Sequence, residues 1–145
     1  MAEKKRADQI GVGGYFEPYV FTVTPEINRQ FLEAMEDNHE RYTKDTKLGP
    51  AIVHPSLLIV NSNITRSPSF YLPPGVACIH AKEDKLQFIN PGRVGSTFTV
   101  HYSVVDVYEK RAKQYQVKQV LITDENGLEI IRRKFSDVYF YGEVK

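Results

Sequence analysis

The sequence predicts a single α+β domain in which a curved antiparallel sheet holds one buried helix. Three observations carry this. From residue 76 to residue 141 the chain reads as strands, most clearly over Thr97–Val107, where Phe98, Val100, Tyr102 and Val104 alternate with Thr97, Thr99, His101 and Ser103. The segment "SLLIVNSNITR" after His54-Pro55 opens with turns that are nearly all apolar, so it belongs inside the fold and not on a surface. A chain of 145 residues suits one core. A sheet with helices on one side must wrap the buried one.

In chain order, residues 1–13 are expected as a flexible tail, and residues 14–145 as the domain. Gly11, Gly13 and Gly14 precede a β-rich run and not a helix, so they read as an entry loop and not as a phosphate cradle. Residues 19–23 read as a strand. Thr24-Pro25-Glu26 is a helix start, with a capping hydroxyl, proline in the first turn and an acid beside it. Ile27, Phe31, Leu32 and Met35 make one apolar face, and the helix fades near Asp37–Arg41. A polar loop with Gly49-Pro50 leads to the central helix, which stops before Pro68. Asn61, Ser62 and Asn63 interrupt its apolar run and need hydrogen-bond partners. Strands follow at Val76–His80, Leu86–Ile89, Thr97–Val107, Gln114–Thr123 and Leu128–Tyr141, with "YEKRAK" and "DENG" as turns.

Composition narrows the function classes. Nineteen basic and 18 acidic residues give a net charge of +1, which does not call for nucleic acid. The one cysteine, Cys78, lies in an apolar run and reads as a buried, inert thiol. No CxxC or HExxH pattern points to a built-in metal. No apolar run is long enough for a membrane helix, and "MAEKKRADQ" has no signal core, so a soluble cytoplasmic protein is the expectation.

Four stretches point to a family: "EDNHERYTKD", "GPAIVHPSLL", "IHAKEDKLQFINPGRVGSTFTV" and "VYEKRAKQYQVKQVLITDENGLEIIRRK". In this order they resemble the hotdog fold of the MaoC-like dehydratases and (R)-specific enoyl-thioester hydratases. Within that group they look most like the branch related to the N-terminal hydratase domain of type I fatty acid synthases. The first stretch sits where the family has its hydratase loop, G-D-x-N-P-[LIV]-H. The second resembles the loop entering the central helix. The third resembles a segment ending in V-G-D-T, with Gly95-Ser96 standing where the family has glycine-aspartate. The fourth resembles the last hairpin. The likeness spans about Gly14 to Tyr141.

The resemblance implies an acid–base site. In such hydratases an Asp and a His five positions later activate one water, and backbone amides hold charge on the thioester oxygen. Here the residue five after Asp37 is Tyr42, and the nearby histidine is His39. Three readings stand for this stretch. Asp37 and His39 converge as acid and base; or the segment is a solvated helix end with a capping contact; or Asn38 or Tyr42 binds the thioester arm. Some non-catalytic subunits of the superfamily keep a tyrosine here and take the dyad from a partner. His54 reads either as a loop cap or as a site residue. Pro55 lacks an N–H, which leaves the Ser56 and Leu57 amides as oxyanion donors. His80 reads as a satisfied core histidine or as a residue beside the thioester tunnel. Lys110, Arg111 and Lys113 read as a solvated hairpin tip or as a site for CoA phosphates. Phe70, Tyr71 and Leu72 are candidates for setting tunnel depth.

The expected function is reversible hydration or dehydration of an acyl thioester, on CoA or an acyl carrier protein, with no metal or redox cofactor. The first alternative is a non-catalytic, thioester-binding subunit of a heteromeric hydratase. The lesser one is a thioesterase, disfavoured because the central helix carries no carboxylate. The resemblance also implies a homodimer, or a heterodimer with another hotdog subunit.

Overall fold

The computed structural model describes residues 2–142. Strand β1 (Lys5–Arg6) and a 3-10 turn at Ala7–Gln9 open the chain, and β2 (Tyr15–Thr22) follows. Helix α1 spans Pro25–Met35, and its Thr24 cap accepts the Ile27 N–H at 3.1 Å. It ends sharply. Glu36 adopts a left-handed φ of 54°, and the Asp37 N–H returns to the Leu32 carbonyl at 3.0 Å. This is the closure a glycine usually makes, here made by a glutamate. Helix α2 is one turn, Glu40–Thr43, and α3 spans Pro55–Asn61.

α3 is shorter than its apolar run suggests, because side chains of the run compete for the backbone. The Asn61 amide donates to the Leu57 carbonyl at 2.9 Å, and the Ser62 hydroxyl to the Ile59 carbonyl at 2.6 Å. Asn63 then caps a separate 3-10 turn at Ile64–Arg66. Leu57 and Leu58 are buried, whereas Val60 is exposed.

Strand β3 (Phe70–Tyr71) pairs in parallel with β1. The main sheet adds β4 (Val76–Phe88), β5 (Thr97–Lys110), β6 (Lys113–Thr123) and β7 (Glu129–Tyr141), in the order β2-β5-β6-β7-β4 with antiparallel neighbours. The two expected strands at Val76–His80 and Leu86–Ile89 are one continuous strand. Register shifts between His80 and Lys82 and between Glu83 and Lys85 carry the charged "AKED" through the β7 ladder. The strand at 19–23 likewise begins earlier, at Tyr15.

The core lies between α3 and one face of the sheet, where Phe98, Val100, Val120, Ile122 and Ile131 meet Leu58 and Val53. Gly92 marks the tightest passage. A Cβ there would lie 2.9 Å from Phe98 and 3.1 Å from Leu58, so the Pro91-Gly92 segment can press against α3. No helix among the described residues is long and apolar enough to cross a membrane.

Residues 5–13 are not a free tail: the Lys5 N–H donates to the Ser69 carbonyl at 2.7 Å and the Gly13 N–H to the Val104 carbonyl at 2.9 Å. Ala7 is fully buried, and its carbonyl and that of Ile10 accept the Gln116 amide at 2.9 Å each. Asp8 is buried and accepts from Arg6 at 3.0 and 3.1 Å and from the Tyr141 hydroxyl at 2.9 Å. A polar sequence hid this because its anchors lie more than 100 residues away. Burial pushes the Asp8 carboxyl up, but the hydrogen bonds from Arg6 and Tyr141 outweigh it and hold the group below its ordinary value. A depressed carboxyl stabilises the fold above the unfolded-state pKa of about 3.9, and that contribution disappears as pH falls through the folded value. Asp8→Asn is expected to lower the melting temperature at pH 7, with the gap from wild type narrowing below about pH 4. Thermal melts by circular dichroism across that range check both parts.

Candidate active site

Two side chains meet at the mouth of α3. The abrupt end of α1 presents Asp37, and the N-cap of α3 presents His54, with Asp37 Oδ2 3.4 Å from His54 Nε2. The His54 orientation is set by the backbone. Its Nδ1 accepts the Ser56 N–H at 3.1 Å, so in the neutral ring the proton resides on Nε2 and faces Asp37. Phe31 lies 5.6 Å from the imidazole, and Tyr42 4.8 Å from it, centroid to centroid. The Asn28 amide donates to the Tyr42 carbonyl at 2.9 Å, tying this loop to α1. The His54 side chain is 16% exposed and Asp37 34%, so a shielded imidazole stands beside an open carboxylate.

This arrangement differs from the expected Asp37–His39 pair. Asp37 Oδ1 accepts the His39 backbone N–H at 3.0 Å, but the His39 ring turns the other way. Its Nδ1 accepts the backbone N–H of Arg41 at 3.2 Å and the Arg41 Nε–H at 3.3 Å, so His39 caps α2. Asn38 lines, with Asp37, a groove of about 740 Å³ against α1.

The expected oxyanion donors are also spent. The Ser56 N–H goes to His54 Nδ1, and the Leu57 N–H to the His54 carbonyl at 3.0 Å. The basic turn is remote. Lys110 and Lys113 close the β5–β6 hairpin, and Arg111 sits in its turn with φ 51°. The loop that carries His54 bonds instead to the segment before β5, through Val94 N–H to the Ala51 carbonyl at 2.9 Å. The whole of β5 separates the two, about 40 Å of strand.

His80 is not a core histidine, since 48% of its side chain is exposed. It lies between two carboxylates, with Nδ1 3.5 Å from Asp137 and Nε2 3.4 Å from Glu83. Behind it the sheet buries a polar cluster that the sequence reading missed. Lys118 is fully buried and bonds Asp137 at 2.6 Å, and the Tyr139 hydroxyl donates to Gln116 at 2.6 Å. Arg133 grips Glu83 through two bonds of 2.9 and 2.7 Å and donates to Ser62 at 2.6 Å. The signal for it was faint: Gln116, Lys118, Asp137 and Tyr139 alternate in their strands as a solvent-facing set would. Cys78 stands beside this cluster. Burial, with the Asp137 charge adding to it, pushes its thiol up to about 11, which leaves it a poor nucleophile at neutral pH.

No family model matches the sequence, and no curated protein does. Solved structures do match. The (R)-hydratase PhaJ1 from Pseudomonas aeruginosa superposes with a TM-score of 0.73 at 14% identity, over 94% of this chain and 89% of that one. A MaoC-like dehydratase from Rhodospirillum rubrum gives 0.73 at 15%, over 97% and 99%. The C-terminally truncated HadBC complex, a 3R-hydroxyacyl-ACP dehydratase from Mycobacterium tuberculosis, gives 0.69 at 15%, over 90% and 98%. The chain has the hotdog fold. Identities this low establish the fold and leave the chemistry to the residues.

Within this hotdog domain the Lys118–Asp137 pair is a clear structural test. Removing one member of a buried pair strands the other charge. Lys118→Met is expected to destabilise the domain by about 3–5 kcal/mol, whereas adding Asp137→Leu to it recovers most of the loss. Urea unfolding of the single and double variants measures both.

Proposed function

We propose that this hotdog domain adds water to, or removes it from, an acyl thioester at Asp37 and His54. The observation that carries the reading is the 3.4 Å approach of a partly open carboxylate to an imidazole whose tautomer is set by the Ser56 N–H. Hydration of an enoyl thioester breaks one O–H bond of water and the π bond between the α- and β-carbons, and makes a C–O bond at the β-carbon and a C–H bond at the α-carbon. Asp37 suits both proton steps. It takes the water proton as oxygen adds to the β-carbon, and the resulting carboxylic acid returns it to the α-carbon. His54, donating through Nε2, orients the water or polarises the thioester carbonyl. The reverse sequence is dehydration. Oxidation state is unchanged overall, so no redox cofactor enters.

The fold likeness to an (R)-hydratase and to hydroxyacyl-ACP dehydratases supports this class of reaction. The proposal includes an acyl group carried on CoA or a carrier protein, a cytoplasmic setting, and dimers formed with itself or with another hotdog subunit. A place near the hydratase domain of type I fatty acid synthases belongs to it as well.

One observation favours a second reading. Tyr42 holds the place five residues after Asp37, and its ring packs on His54. A chain built this way would bind the thioester and complete the pocket of a dyad-bearing partner.

Loss of enoyl-CoA absorbance with the purified chain, from short to long acyl lengths, separates the two readings. Under the first, Asp37→Asn lowers turnover by roughly 100-fold or more. His54→Asn has the same expected effect, and it keeps an oxygen that caps α3, so the loss reports the chemistry and not the helix. His39→Ala retains turnover within a few-fold. Absence of turnover at every length, regained on adding a dyad-bearing hotdog protein, would establish the second reading.

A further inference from the structure

The space between α3 and the β4–β7 edge has two parts of opposite character. Near His54 it is a cleft of about 290 Å³ bordered by Tyr42, Pro55, Leu58, Phe88 and Ile131. Towards the other end of α3 it is a cavity of about 440 Å³. There Val60, Ile64 and Leu72 form an apolar wall, and His80, Arg133 and Asp137 a polar one. The two are neighbours along α3 and β7. Leu58 of the cleft adjoins Ile59 of the cavity on α3. On β7, Ile131 of the cleft and Arg133 of the cavity are alternate residues on one face, about 7 Å apart. This seam runs from Tyr42 and Pro55, which flank His54, to His80, whereas Asp37 itself lines the groove against α1.

We propose that this seam receives the acyl group, and that its far end selects an acyl chain bearing a neutral oxygen substituent, a hydroxyl or a keto group, over a plain alkyl chain. This rests on the thioester reading above. A wall holding a buried arginine and aspartate beside a half-open histidine is a poor surface for methylenes, because a chain lying on it strips water from polar groups and returns no hydrogen bond. The charges are already matched, Lys118 with Asp137 and Arg133 with Glu83, so an added carboxylate would find no unpaired cation. His80 is different. Its ring nitrogens stand 3.4 and 3.5 Å from their carboxylates, longer than the 2.6–2.9 Å bonds that hold Lys118 and Arg133, and half of its side chain is open. It can turn one nitrogen to a ligand oxygen while its ring stays on Phe135, 5.3 Å away. His80 and Arg133 are therefore the specificity-determining residues of the far end.

Calorimetric binding of three saturated thioesters to the full chain tests this: octanoyl-CoA, 7-hydroxyoctanoyl-CoA and octanedioyl-CoA. Saturated ligands make the readout independent of turnover. The hydroxyacyl thioester is expected to bind about tenfold tighter than the other two, the worth of one well-made hydrogen bond. His80→Phe, which keeps the packing on Phe135, should abolish that preference and leave octanoyl-CoA unaffected. Val60→Trp fills the cavity from an exposed position of α3, and should weaken all three while sparing butyryl-CoA. Octanoyl-CoA binding as tightly as the hydroxyacyl form overturns the inference and leaves the thioester reading standing. So does a preference that survives His80→Phe, or octanedioyl-CoA binding tightest. If no thioester binds, both fall together.

Discussion

His54 closes the first turn of α3 with one ring nitrogen and faces Asp37 with the other. Much of the local structure depends on that division. Pro55 has no N–H to offer, so the Ser56 N–H is the first backbone donor of the helix, and only an acceptor side chain at position 54 can reach it. Once His54 accepts it, the ring plane is set, and Phe31 and Tyr42 pack against it at interplanar angles of 57° and 41°. Asp37 completes the pair only because α1 stops abruptly. Had the helix continued, Asp37 would have turned with it. A non-glycine residue in the left-handed region costs on the order of 1–2 kcal/mol. Glu36 holds that conformation where the carboxylate is aimed at the imidazole.

Much of the architecture was legible in the sequence, and the reasons are local. Thr24-Pro25-Glu26 marks a helix start by its own chemistry, and the alternation from Thr97 onward marks a strand whatever surrounds it. Errors arose where local patterns compete. "SLLIVNSNITR" reads as one helix by hydropathy, yet Asn61 and Ser62 bond to the backbone and end it. The "AKED" segment reads as a break between strands, yet register shifts keep it in the ladder opposite Ser136 and Phe135. The Asp37–His54 pair joins residues seventeen positions apart, with a helix end, one turn of α2 and a loop between them. No spacing rule reports such a meeting, whereas the His39 ring, close in sequence, is drawn off by Arg41.

The buried polar cluster was hidden for a different reason. Alternation tells which residues of a strand share a face, and not whether that face is wet. Along β6, Gln116 and Lys118 share a face with Val120 and Ile122, and all four are buried. A lysine can sit there only if a counter-charge arrives from another strand. Asp137 does so because β7 places it opposite Gln116 and diagonal to Lys118 on the same face, a fact of register and not of composition. The N-terminal residues seal the same region from outside, through the Ala7 and Ile10 carbonyls on Gln116.

Two histidine–carboxylate pairs thus stand near the two ends of one seam, and their environments are inverted. At the mouth the imidazole is shielded and its tautomer set, while the carboxylate is partly open and meets a backbone N–H and the ring. At the far end the imidazole is open, while the carboxylate is buried and its charge is matched by Lys118 at 2.6 Å. A proton-transfer centre needs an accessible carboxyl that can gain and lose a proton beside a fixed donor, which is the first arrangement. A recognition site needs fixed charges that cancel and a mobile hydrogen-bonding group on their surface, which is the second. Under the proposed hydration the same residue types would divide their work by exposure: reaction beside α1, and discrimination at the end of α3.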